Sequence, residues 1–210
     1  MQSRTKLQKP ECAAFWAKRL LIFPSPTTKR TSRRLAYTEK FVKKWKNHSL
    51  IVPAFAPHAA YTVSEEHLGN IKKLADKLNA AVVIHVAETQ TEVDDISKQK
   101  GLRPVEYLDK IGFLNDRTIA AHVVFVNENE VNILKNRGVG VAHNPQSNMK
   151  LASGVAPVPQ MLVKDLPVGL GTDGAASNND LKFVGRNGYG GETAQSFRAR
   201  PKGFNRRTSI

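Results

Sequence analysis

The 210-residue chain has a single cysteine, Cys12, no long apolar run, and almost no acidic residues near either end. One thiol excludes an intrachain disulfide, and with it the cross-linked scaffold of a small secreted domain. No stretch approaches the roughly 20 apolar residues that cross a bilayer, so no membrane partner is expected. The opening residues carry basic side chains, but their apolar patch, LLIF, is too short for the hydrophobic region of an export signal. These absences together point to a cytoplasmic setting.

What is abundant is positive charge, with a formal net of +14 and a pI near 10.0. Taken over the whole chain, that suggests nucleic acid or an anionic surface. Its distribution says otherwise. Residues 35–181 hold 16 Lys and Arg against 16 Asp and Glu; residues 1–34 hold 9 against 1, and residues 182–210 hold 7 against 1. The surplus belongs to two tails, 1–34 and 182–210, and the middle has the balance of an ordinary domain. The tails offer little apolar surface to offset the entropy of ordering, so they are expected to be irregular.

Two patterns alternate in the middle. SEEHLGNIKKLADKLN opens on Ser64 with acids behind it and repeats apolar residues at helical spacing from Leu68 to Leu78, which predicts a capped amphipathic helix. AYTEKFVKKWKNH, RPVEYLDKIG, ENEVNILKNRG and VPQMLVKD predict four more. Between them lie short apolar runs that end in polar residues: LIVPAFAPH, AAVVIHVAE, TIAAHVV, VGVAHNP and PVGLGTD. They predict five buried parallel strands. Repeated strand–helix units make either a doubly wound sheet or a (β/α)8 barrel. Successive strands that each end in a His or an acid suit a ring converging on one point, which favours part of a TIM-type barrel with its site at the carboxyl ends of the strands.

The strand ends carry the candidate chemistry. His85 closes one strand and Glu88 follows past its edge, a spacing that lets one hold a metal while the other reaches water or substrate. The competing reading is a core histidine beside a solvated glutamate. His122 and Asp173, at matching places on later strands, favour the first, because neutral imidazole and carboxylate are ligands for zinc or iron. His58, after Pro57, fits a turn or capping role as well as substrate binding. His143 is expected to be structural, bonding the Asn-rich turn beside it. His48 and His67 read as surface residues.

The segments APHAAYTVS, HVAET, AAHVV, VAHNPQSNMKLASGVAPVPQML and VGLGTDGAASNNDL, in this order, closely resemble the strand-end motifs of the 5-methylthioadenosine/S-adenosylhomocysteine deaminases of the amidohydrolase superfamily. The resemblance runs from about Leu35 to Leu181; guanine and chlorotriazine hydrolases share much of it. It implies a partial metal-dependent hydrolase barrel and hydrolytic deamination of a purine nucleoside, with one divalent ion, zinc or iron, per site. His85 and Asp173 would bind the metal, and Asp173 would also take a proton from the attacking water. Glu88 would shuttle protons beside the purine, His122 would polarise the hydroxide or the tetrahedral centre, and His58, Glu88 and Ser177 would contact substrate. The expected partners are this small molecule and, in a homo-oligomer, further copies of the chain.

The family also binds its metal through a His-x-His, and no His-x-His occurs among the 210 residues. These residues alone are therefore expected to deaminate at no useful rate. In the tails the resemblance fades. A permissible back-translation of FVGRNGYGGETAQ, shifted by one base, reads LWEEMDTAAKLH, a family-like helix, which suggests frame-shifted translation there. Two alternatives compete with the enzyme: a nucleic-acid-binding protein acting through the Gly- and Arg-rich residues 182–210, and a non-catalytic barrel remnant that pairs with another chain. The neutral middle argues against specific nucleic-acid recognition.

Overall fold

The computed structural model describes residues 14–20, 28–49, 51–174 and 176–178, with side chains from Arg33 onward. Six strands form one parallel sheet: β1 (Ala14–Leu20), β2 (Ile51–Pro57), β3 (Ala81–Val86), β4 (Thr118–His122), β5 (Gly140–His143) and β6 (Val168–Leu170). Their order in the sheet is their order in the chain, and every neighbouring pair is parallel. A doubly wound sheet reverses direction at a switch point. A singly wound run without reversal is the topology of part of a (β/α)8 barrel.

Helices fill the connections: α1 (Thr28–Trp45), α2 (Glu65–Leu78), α3 (Gln90–Lys100) and α4 (Pro104–Lys110), then α5 (Glu128–Asn136), α6 (Pro145–Lys150) and α7 (Val158–Val163). Ser64 caps α2, its hydroxyl accepting from the His67 N–H, and Leu68, Ile71, Ala75 and Leu78 form the buried stripe of that helix. This is the 3.6-residue spacing visible in the sequence. Leu108 of α4 and Leu134 of α5 join the same core against Phe55, Ile84 and Val141 of the sheet. Burying side chains of this size contributes about 1.5–3 kcal/mol each.

Three elements were not expected. β1 pairs along its length with β2, from Ala14 opposite Ile51 to Leu20 opposite Pro57, so the basic segment 1–34 contributes a strand, and α1 begins at Thr28 rather than after Leu35. The expectation of an irregular N-terminal tail is corrected for these residues: tail-like charge does not prevent a short backbone ladder. Helix α3 carries only Val93, Ile96 and Glu92 inward, too few apolar residues to show a period. Helix α6 is one short stretch begun by Pro145. The expected irregularity of 182–210 falls outside the described residues. Among the described residues no helix is long and apolar enough to cross a membrane.

Candidate functional site

The register of the sheet brings the polar strand ends level. His85 lies opposite Ala121 and Val86 opposite His122, while His143 lies opposite Leu170, three residues before Asp173. Backbone geometry then turns the side chains. Of seven non-glycine residues with left-handed φ among those described, four stand at this edge: Ala87 (50°), His122 (72°), Val123 (49°) and Asp173 (59°). Each such residue costs on the order of 1–3 kcal/mol and persists only where its surroundings enforce it. Here the enforcement is visible: Val123 N–H bonds the Val86 carbonyl at 3.1 Å, and Val124 and Phe125 N–H groups share the Ala87 carbonyl at 3.0 and 2.9 Å.

His85, His122 and Asp173 each offer one donor atom to a common point, all within 4.8 Å of one another. His85 Nδ1 is 2.6 Å from the His58 carbonyl. A carbonyl only accepts, so the ring donates from Nδ1 and keeps its lone pair on Nε2. His122, fully buried, places Nδ1 2.8 Å from Asn148 Oδ1, and the Asn144 amide nitrogen approaches its Nε2 at 3.5 Å. Both contacts favour the same tautomer. Imidazoles anchored at Nδ1 with an unprotonated Nε2 are arranged as metal-binding histidines are, although the Asn144 amide would have to release the His122 nitrogen.

Burial pushes the His85 imidazole below its ordinary value, with His122 adding, while its bond to the His58 carbonyl and the Asp173 and Glu88 charges oppose. That favours the neutral form, the one able to bind a metal. Burial works to raise Asp173, but the Ser147 hydroxyl at 2.7 Å, the Gly174 N–H at 2.6 Å, and His122 and His85 outweigh it, holding the carboxyl below its ordinary value. Two imidazoles anchored at Nδ1 and an ionised carboxylate fit a divalent cation of zinc's type.

Glu88 completes the group. Its Oε2 is 3.7 Å from His122 Nε2, and its Oε1 accepts from Ser153 at 3.3 Å. Asp173 Oδ2 is 4.0 Å from the same His122 nitrogen. His58 stands one place out, its ring 5.0 Å from that of His85 and its Nδ1 2.8 Å from Thr62 Oγ1. Ser177 lies in the turn after Asp173, its N–H bonded to the Gly174 carbonyl. The expected tie between His143 and the Asn-rich turn does not form. His143 Nδ1 is buried without a hydrogen-bond partner among the described residues, because Asn144 and Asn148 face His122 instead. His48 is exposed beside Trp45. His67, half-buried, bonds Ser64.

Sequence reasoning missed the residues behind these. Ser147, Asn148 and Ser153 are buried and hold Asp173, His122 and Glu88 in turn. Asn144 is seated against Gly171, where a methyl group would overlap its side-chain oxygen. Glu92 accepts from the N–H groups of Ala87 and Glu88. The only signal for the first set was a density of small polar residues, NPQSNMKLAS, too rich for a solvated loop next to a strand end.

A singly wound parallel sheet with histidines and an aspartate at its carboxyl edge defines a metal-dependent hydrolase barrel in outline. The amidohydrolase family profile matches residues 11–202, and the chain belongs to that family. It is 47% identical over 165 residues to a 5-methylthioadenosine/S-adenosylhomocysteine deaminase of Thermodesulfovibrio yellowstonii, an alignment covering 79% of this chain and 38% of the relative. It is 54% identical over 135 residues to a 5′-deoxyadenosine deaminase of Methanopyrus kandleri, covering 64% and 31%. Among solved structures, an adenosine deaminase from Xanthomonas campestris with bound zinc superposes with a TM-score of 0.73 at 39% identity, covering 79% of this chain and 38% of that one. The chain thus spans well under half the length of these relatives.

Proposed function

We propose that these residues form part of the active site of a metal-dependent aminohydrolase that deaminates an adenosine-type nucleoside, with 5-methylthioadenosine, S-adenosylhomocysteine and 5′-deoxyadenosine as the substrate class. The observation that carries this is the position of His122 Nε2, 3.7 Å from Glu88 and 4.0 Å from Asp173. An imidazole nitrogen thus stands between two carboxylates at the carboxyl edge of the sheet. The similarity to deaminases of such nucleosides in both curated relatives supports the substrate class.

His85 and Asp173 would hold the ion, with His122 close enough to join them. Zinc is the favoured identity, from the mixed imidazole and carboxylate donors and from the zinc-bound structural relative. Such an ion supplies a Lewis acid that eases loss of a proton from water near neutral pH. Asp173, ionised and fixed by Ser147, accepts that proton at a carboxylate oxygen. Glu88, beside His122, would carry protons to the purine ring and the departing amine. Water's oxygen bonds the amino-bearing carbon, the carbon–nitrogen bond breaks, and ammonia leaves. His122 would steady the charge that develops at that carbon, and His58 and Ser177 would touch the nucleoside.

The His-x-His that the resemblance assigns to the metal is not among these residues, so ammonia release by these residues alone is expected to be slow. Nucleoside binding is the sharper test. Titration calorimetry with 5-methylthioadenosine should show binding that depends on zinc and weakens in Glu88→Gln and Asp173→Ala. Any ammonia released should vanish in Asp173→Ala. Binding that is indifferent to zinc and to both substitutions would contradict the proposal.

A further inference from the structure

Glu92 occupies the first turn of α3, whose N-cap is Thr89; the Thr89 hydroxyl accepts from Glu92 N–H. An acid at this place usually reaches back to the N-cap N–H. Here it overshoots. Glu92 Oε1 accepts from Ala87 N–H at 2.9 Å and Oε2 from Glu88 N–H at 2.8 Å, so both oxygens are taken by consecutive backbone amides. The side chain is buried, and a buried carboxylate is a costly way to cap a helix that Thr89 already caps. Burial, opposed by the N–H groups of Glu88, Ala87 and Thr89 and aided by the Glu88 charge, pushes Glu92 up to about 7.

The gripped peptide is also the joint between two strand ends. Ala87 is left-handed at φ 50°, and its carbonyl accepts from Val124 and Phe125, just past His122. Rotation at Ala87 would swing Glu88 away from His122 Nε2 and from Ser153. We propose that Glu92 is a positioning residue: its two-oxygen grip keeps Ala87 in the left-handed conformation and so sets the Glu88 carboxylate against His122. The purpose of that placement rests on the reading of Glu88 as the proton carrier; the grip itself does not.

Glu92→Gln keeps the shape but leaves one acceptor oxygen and turns an N–H₂ toward an N–H. In this variant, compared above about pH 7 where the native Glu92 is ionised, the amides of Ala87 and Glu88 should exchange roughly ten-fold faster, while those of Ile96 and Ser97, farther along α3, stay protected. A crystal structure should show the Glu88 carboxylate withdrawn from Ser153 and His122. Adding Ala87→Gly should restore its position, because glycine adopts positive φ without strain. Thr89→Ala, which removes only the cap, should leave Glu88 in place. An unmoved Glu88 with unchanged exchange in Glu92→Gln would overturn the proposal. So would fast exchange of the Ala87 and Glu88 amides in the unsubstituted chain, a measurement that needs no variant to fold. Failure of nucleoside binding would sink the functional reading and leave these exchange and distance results standing.

Discussion

Ser147 donates a 2.7 Å hydrogen bond to Asp173 Oδ2. The two residues are 26 apart in sequence, one in α6 and one beyond β6, and the bond both aims the carboxylate and favours its ionised form. Ser147→Ala is therefore expected to weaken zinc binding by about 10–100-fold, the usual cost of removing a group that orients a ligand. Competition with a chromophoric chelator measures this, and unchanged affinity would show that Asp173 is aimed by other contacts.

Asn148 fixes the tautomer of His122. With the acceptor removed in Asn148→Ala, a buried Nδ1–H is left without a partner, a loss of about 1–3 kcal/mol. The ring is expected to shift toward the Nε2–H form. Nitrogen-15 shifts of the His122 imidazole report the tautomer directly, and an unshifted ring would mean that Asn148 is not its anchor.

Gly171 leaves room for Asn144. In Gly171→Ala the new methyl group would meet the Asn144 oxygen and pack near the Ala142 side chain, and overpacking of this kind costs about 1–3 kcal/mol. Urea unfolding should show the loss as a lower midpoint with an unchanged slope.

Glu92 gives stability a definite pH dependence. Its ordinary value of 4.5 rises to about 7 in the fold, so between those limits the folded chain keeps a proton that the unfolded chain has released. The stabilisation from this group is fully present below 4.5 and is lost as pH rises through about 7. Glu92→Gln lacks it. The stability of the unsubstituted chain minus that of the variant should therefore fall between pH 4.5 and 7.5, read from urea midpoints. Parallel pH profiles would contradict the assignment.

Much of the fold was legible because buried parallel strands write themselves as apolar runs, and AAVVIHVAE or PVGLGTD can scarcely be anything else beside an amphipathic helix. The residues that cluster at the carboxyl edge were legible for the same reason: His85, His122 and Asp173 end or follow apolar runs. β1 was hidden by the basic residues around it, and α3 by a surface so polar that only Val93 and Ile96 mark its inner face. The supporting residues were invisible for a different reason. Ser153 meets Glu88 across 65 positions, and Glu92 looks like any solvated acid in a first helical turn until the backbone folds over it.

The most direct test of the central claim, that His85, His122 and Asp173 converge as a metal site, is zinc titration of the intact chain beside His85→Ala and Asp173→Ala. One zinc per chain, lost in both variants, is the predicted result. Zinc bound equally by all three proteins would contradict it.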